Sequence, residues 1–439
     1  MTQKHPRKTV AILIAVFFLH ALPWLKRPSI IGGDEPHYAL MAHSIAADHD
    51  LDLVEDYRQV AKGSKAAGRR LAGKKLDSHF RTNGADHVFS HPLGLPLIAA
   101  PLIAVQQRLL PGSAPDVPLG LLGLAFTFAA LFAARDLLER KYGAGFLALG
   151  MYFSSPLWFY SRSFFTEPYI WSSVVLAIWF VARGHSLSSS LLLGLALAFK
   201  ESALLAVAPV LLGVGAIKGW RLAARLLPGP IIVFGAWLLK NLVVYGEPLI
   251  TFQPYRVGEP LRGLIGVLFG PRHGVLVFAP ILALVVFGLP RRQSLRDAFS
   301  DPVLLAWLVV LPYLAVTAAW ITWSGGSCYG PRLMIPAIAA SALPVVAAWQ
   351  RWRDSRAFRW ALATLLVIGF TIQLSAALKP FHSYWSPTVF EVLSASQYGP
   401  IAGLLLGSWL VKVMMRQLPT GFPSVTEKHN KKVVPATHL

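Results

Sequence analysis

The sequence predicts an all-α polytopic membrane protein with about twelve transmembrane helices and a long first external loop that carries juxtamembrane helices. Three observations lead there. Of the 439 residues, 55% are hydrophobic and 14% are charged, whereas soluble chains carry about a quarter charged residues. Apolar segments approaching the length needed to cross a bilayer recur along the chain. Basic residues gather in every second connection between those segments, as the positive-inside rule asks.

Taken in order, Lys4, Arg7 and Lys8 precede the first apolar run, 9–25. No small-residue cleavage site follows, so this run reads as an uncleaved signal anchor. Further spans are predicted over 118–135, 144–160, 168–183, 187–200, 203–217, 229–245, 273–289, 302–320, 333–349, 360–377 and 397–413. With the N-terminus inside, the cytoplasmic connections hold Arg135, Arg140 and Lys141; Arg183; Lys218, Arg221 and Arg225; Arg291, Arg292 and Arg296; and Arg351, Arg353, Arg356 and Arg359. Segment 93–110 is also apolar enough to span, but spanning would turn every later basic cluster outward. Broken by Pro96 and Pro101, it reads as interfacial or re-entrant. Residues 1–417 then form one transmembrane domain whose first external loop is 26–117, and 418–439 form a cytoplasmic tail expected to be disordered. The arrangement suits a bacterial plasma (inner) membrane, both termini cytoplasmic, with the candidate site on the periplasmic or extracellular side.

The net charge of +20 does not indicate nucleic-acid binding, because its Lys and Arg residues lie in short clusters between apolar segments. A single cysteine, Cys328, excludes an internal disulfide and a cysteine-based metal cage.

The expected outer face collects the chemistry. Gly-Gly-Asp34-Glu35-Pro36-His37-Tyr38 follows the first span. Asp34 before Pro36 suits a helix cap, and Tyr38, Met41, Ala42 and Ile45 give a short amphipathic helix lying on the membrane. A carboxylate pinned at such a helix start also suits a general base. Thr166-Glu167-Pro168 repeats the acidic-Pro pattern, with the same two readings. Lys200 and Glu201 sit at the outer end of a span, where intramembrane charge marks function by default; an ion pair of Lys200 with Glu201 or Glu167 is the alternative. Arg256, Arg262, Arg272 and His273 crowd one outer loop, and Trp323, Tyr329 and Arg332 lie in Trp323-Ser-Gly-Gly-Ser-Cys328-Tyr329-Gly-Pro-Arg332. Arginines among glycines and aromatics suit a phosphate and a sugar. The alternative is an aromatic belt with snorkelling arginines. His37, His43, His79, His87 and His91, with Asp34, Glu35, Asp77 and Asp86, leave room for a divalent metal in the first loop, although no spacing matches a metal motif.

In their order these segments resemble the GT-C superfamily of membrane glycosyltransferases, in particular the protein O-mannosyltransferases and the lipid A aminoarabinose transferases. Asp34-Glu35 stands where that group has its acidic pair. His91-Pro92-Leu93-Gly94-Leu95-Pro96 stands for the His-Pro-Pro-Leu-Gly-like element that closes the loop, Thr166-Glu167-Pro168 for a Thr-Asp-Pro-like segment, and Ala198-Phe199-Lys200 for a Leu-Thr-Lys-like span end. The resemblance covers residues 9–350 in organisation, without the C-terminal soluble domain of better-known members.

The resemblance implies a polyprenyl-phosphate-linked sugar as donor and a glycan, glycolipid or protein hydroxyl as acceptor, with membrane lipid around them and no nucleic acid. Transfer would proceed with inversion. Asp34 would be the base, Glu35 or Glu167 would position sugar or acceptor, and Lys200, Arg272 and Arg332 would neutralise the leaving phosphate; His37, Tyr38, His91, Arg256, His273, Trp323 and Tyr329 complete the substrate-binding set. No cofactor is required when cationic side chains stabilise the leaving group. The rival reading is a lipid or glycolipid transporter without chemistry, but such proteins place polar residues near the bilayer midplane rather than beside a long outer loop. A lipid phosphatase would share the arginines, but the sequence has no Cys-Arg loop or paired His-Arg motif.

Overall fold

The apolar segments form helices, and a proline does not always end one: Pro101, expected to break segment 93–110, lies inside the continuous helix Gly94–Leu109, and Pro209 and Pro312 lie inside Leu204–Lys218 and Pro302–Ala319. The structure, a computed structural model, describes residues 14–22, 33–69, 71–76, 80–83, 86–89, 91–249, 255–290, 301–326, 328–378, 386–394 and 399–416. The expected tail, the N-terminal basic residues, the Arg291 cluster, Asp77 and His79 lie outside these. In order come α1 (residues 14–22), α2 (Glu35–Ala47), α3 (Val54–Ala61), an antiparallel pair β1 (Phe80–Asn83) and β2 (Asp86–Phe89) with Phe80 opposite Phe89, α4 (Gly94–Leu109), α5 (Asp116–Tyr142), α6 (Gly145–Phe153), α7 (Pro156–Tyr160), α8 (Thr166–Val181) and α9 (Ser186–Phe199). The two short strands, inside the first loop, are the departure from an all-helical chain.

Among the described residues, five helices are long and apolar enough to cross a membrane: Asp116–Tyr142, Glu201–Lys218, Pro228–Tyr245, Pro302–Ala319 and Arg356–Leu378. Arg332–Ala340 and Ala342–Trp352, bent by 40°, make a sixth, broken span. Pro344 explains the break: it removes the N–H that would reach residue 340 and its ring crowds that carbonyl. Ser341 Oγ donates back to Ala337 O at 2.8 Å, which favours the same bend. Thr166–Val181, Ser186–Phe199, Pro260–Phe269 and Gly399–Trp409 are apolar but shorter. The expected span 273–289 is a single turn, Val275–Phe278, followed by a 3₁₀ helix, Pro280–Gly288, because Pro280 has no N–H to continue the α ladder.

Helix α5 packs against α6 and α8, α8 against α9, and α9 against Pro228–Tyr245; Arg356–Leu378 packs against Gly399–Arg416. Arg140 and Lys141 close α5 where its dipole favours cations. Asp136 gathers Arg140 at 2.9 Å and Arg183 at 2.8 Å, while Arg183 stacks on Trp179 at 3.5 Å. The largest fully buried side chains are Trp158, Tyr152, Tyr160, Tyr169, Tyr329, Phe164 and Phe165. Most of these come from the 152–169 stretch that leads into α8.

Two first-loop elements differ from simple membrane-surface helices. Helix α2 is not amphipathic at an interface: Tyr38, Ala39, Leu40, Met41 and Ala42 are all buried, so apolar residues surround it and protein encloses it. Helix α4 lies along α2. It buries Leu95, Ala99 and Ile103 on one face, leaves Leu97, Val105 and Leu109 exposed on the other, and ends in Gln106, Gln107 and Arg108 after 16 residues.

Candidate active site

Four acidic-Pro helix starts occur among the described residues, and they do not behave alike. Asp301, before Pro302, accepts the Val303 N–H at 2.8 Å and is an ordinary N-cap. Asp34 stands at the N-cap of α2 but makes no side-chain cap bond. Glu167, in the first turn of α8, pairs away from its helix, and that helix has no side-chain cap bond either. Glu259, before Pro260, makes no side-chain cap bond either, but it pairs with Arg262 on the exposed surface, whereas Asp34 and Glu167 turn inward.

Asp34 and Glu167 belong instead to a chain of alternating charges. Arg332 Nη1 donates to Asp34 Oδ2 at 2.9 Å across 298 residues of sequence. Arg332 Nε lies 3.9 Å from Glu167 Oε1, and Lys200 Nζ donates to the same oxygen at 3.1 Å. Arg332 is further held by the Gly325 carbonyl at 3.1 Å and by the Phe165 ring, 4.4 Å below its guanidinium. The side chains of Arg332 and Glu167 are 9% and 4% exposed, whereas Asp34 is 28% exposed. Asp34 is thus the carboxylate of the chain that solvent, or a substrate, reaches.

Local sequence explains the placement. Gly33 turns the chain at φ 58°, and a Cβ there would stand 3.0 Å from the Phe165 ring, so only glycine lets the backbone before Asp34 pass that ring without strain. Gly94 begins α4 against the backbone of Ala198, where a Cβ would come within 2.4 Å of the carbonyl. This close approach brings the His91-Pro-Leu-Gly segment against the end of the helix that delivers Lys200.

Glu35 points elsewhere. It is 1% exposed and accepts the Phe164 N–H, tying α2 to the 161–165 turn. Arg162 is buried in the same turn; desolvation lowers its guanidinium to about 10, and the Glu35 charge opposes that shift. His37 Nδ1 meets Tyr57 OH at 2.6 Å, and Tyr38 OH meets His91 Nδ1 at 3.4 Å. Burial, reinforced by Asp34, Glu167 and Glu201, pushes the Tyr38 phenol well above its usual range and keeps it neutral.

The remaining expected residues form a second group. Arg272 donates to the Ser386 carbonyl. His273 joins Gly330 O at 3.2 Å to Ser386 Oγ at 3.0 Å, with the Trp323 ring edge-on at 6.1 Å. Gly330 is two residues before Arg332, so this group borders the charge chain. Tyr329 is a core residue whose hydroxyl donates to Gln373 at 3.1 Å. Arg256 is exposed, and Arg262 pairs with Glu259 at 3.8 Å on the surface. The sequence alone did not single out Phe165, Arg162, Tyr57 or the Gly325 carbonyl; the doubled aromatic at 164–165 was the available signal.

Among solved structures, the fold is similar to that of ArnT from Cupriavidus metallidurans in the apo state, with a TM-score of 0.54 at 15% sequence identity over 92% of this chain and 71% of that one. At that identity the likeness is one of fold. No family model and no curated protein matches the chain.

Proposed function

We propose that this chain is an inverting GT-C-type glycosyltransferase that moves a monosaccharide from a polyprenyl-phosphate carrier to an acceptor hydroxyl at the outer face of a bacterial plasma membrane. The observation that carries the reading is the partly exposed Asp34, held by Arg332 at the head of a buried charge chain that continues through Glu167 to Lys200. A guanidinium beside a carboxylate favours its ionised form, which a general base requires.

In the proposed reaction, Asp34 takes the acceptor proton as the acceptor oxygen bonds to the anomeric carbon. The bond from that carbon to the phosphate oxygen breaks on the opposite face, and polyprenyl phosphate leaves with the electron pair. Glu167 and Lys200 fix Arg332, and Arg332 fixes Asp34. Arg272 and His273, at the neighbouring loop, face the incoming anion. Positioning and charge stabilisation are the main demands, because the leaving group is already a phosphate ester.

The test is donor turnover by purified protein in nanodiscs. Polyprenyl-phosphate sugars are offered with crude envelope as acceptor source, and free polyprenyl phosphate is followed by mass spectrometry. Release by the wild type that falls at least about 100-fold in Asp34→Asn supports the reading. Release that survives in Asp34→Asn moves the base elsewhere, and no release from any donor favours a transporter.

A further inference from the structure

Residues 48–56 hold five carboxylates, Asp48, Asp50, Asp52, Glu55 and Asp56, in a chain that carries only 21 acidic residues and a net charge of +20. The charge chain at Asp34 uses none of them. The segment leaves the C-terminal end of α2, turns at His49, and enters α3. His49 is the only non-glycine residue at positive φ among the described residues, at 61°.

Two of the five shape the turn. Asp50 accepts from Ser44 Oγ at 2.7 Å and from the Asp52 N–H at 3.1 Å, and Asp52 accepts the Val54 N–H at 2.9 Å. Glu55 pairs with Arg58 on the surface. Asp48 and Asp56 are left, and both approach His43 on the last turns of α2. One ligand atom from each of the three lies within 4.8 Å of the others. Asp56 is 5% exposed in its side chain, and the group facing it is His43 Nδ1 at 3.3 Å. The two groups stand at ion-pair distance, with Asp48 beside them.

Imidazole and carboxylate atoms bound to one tetrahedral zinc ion, each at about 2.1 Å, stand about 3.4 Å apart. The separation of His43 and Asp56 is therefore that of two ligands sharing an ion. One imidazole with two carboxylates suits a borderline ion such as Zn²⁺ better than Ca²⁺ or Mg²⁺, which take oxygen donors. We propose that His43, Asp48 and Asp56 form a Zn²⁺-type divalent metal site that ties the C-terminal end of α2 to α3. The site lies nine residues along the helix from Asp34, about 13 Å at the helical rise, so its role is to hold the base-bearing helix and not to touch substrate. The His37–Tyr57 bond joins the same two helices without metal.

The experiment measures binding and stability, so its outcome is separate from that of the sugar-transfer reading. Protein in nanodiscs, its affinity tag removed, is stripped with chelator, dialysed against Zn²⁺, and assayed for metal by mass spectrometry and for thermal unfolding. The wild type is expected to retain one Zn²⁺ per chain and to unfold a few degrees higher with it, with no such rise in Ca²⁺ or Mg²⁺. Asp48→Asn, at an exposed position that no packing depends on, and His43→Ala are expected to bind at least tenfold more weakly and to lose the shift. No stoichiometric Zn²⁺ on the wild type, equal retention by both variants, or an equal response to Ca²⁺ would overturn the proposal.

Discussion

Replacing Arg332 with Met and Asp34 with Asn, singly and together, tests whether the charge chain is one energetic unit. Removing one partner of a buried ion pair costs about 3–5 kcal/mol, because the other charge stays buried and uncompensated. Two features of this chain reduce that figure for Arg332→Met. Asp34 is 28% exposed, so water solvates part of its charge, and Lys200 remains 3.1 Å from Glu167. We expect a loss of about 2–3 kcal/mol for Arg332→Met. Asp34→Asn keeps an acceptor for Nη1 and should lose about 1 kcal/mol. With the carboxylate already gone, Arg332→Met should then cost about 1–2 kcal/mol less than it does in the wild type, the range found for residues in contact. The assay is equilibrium unfolding in mixed micelles by SDS titration, followed by tryptophan fluorescence. Additivity within about 0.5 kcal/mol would refute the reasoning, because it would mean that Arg332 and Asp34 do not share an interaction.

Further predictions separate structure from chemistry. Glu35→Gln should destabilise the protein by about 1–3 kcal/mol, since it removes the charge opposite buried Arg162, while turnover per folded molecule stays within a few-fold of wild type, unlike Asp34→Asn. Gly33→Ala should cost about 1–2 kcal/mol for its left-handed backbone; it should also lower turnover, because the new methyl group presses on the Phe165 ring that lies under Arg332. Asp301→Ala, at the true cap, should cost about 1 kcal/mol and leave donor turnover unchanged.

Much of the site was legible one residue at a time. Asp34, Glu167, Lys200 and Arg332 stand out because charge in an apolar chain needs a partner. The Lys200–Glu167 pair was one of two that the sequence offered, but the Arg332–Asp34 pair was not legible, since nothing local in the sequence links positions 34 and 332. Asp34 and Glu35 look interchangeable in sequence, but consecutive helix positions point about 100° apart. One therefore meets Arg332 and the other the Phe164 N–H. For α2, counting Tyr38, Met41, Ala42 and Ile45 as a stripe passed over Ala39 and Leu40, which make the helix apolar all round and hence internal. The helical, membrane-spanning character was legible because hydropathy is a pattern over the whole chain. The 3₁₀ segment at Pro280–Gly288 escaped, because hydropathy does not register a missing N–H.

The charge chain also revises how the cations serve the proposed reaction. The sequence reading assigned Lys200 and Arg332 to the leaving phosphate, yet here each faces a carboxylate. Two carboxylates and two cations cancel, so the cluster is neutral before a substrate arrives, and low dielectric favours that balance. A donor phosphodiester brings one negative charge, and its phosphate gains another as the glycosidic bond breaks. In the same step Asp34 accepts a proton and becomes neutral. Arg332 then faces a neutral acid on one side and a new oxyanion on the other, so protonation of the base is the event that makes the guanidinium available to the leaving group. Base and leaving-group cation are on this account coupled through one 2.9 Å contact. It follows that Asp34→Asn removes more than a proton acceptor: with a neutral residue already at position 34, Arg332 no longer changes partners during the reaction, and the timing of its charge with bond cleavage is lost.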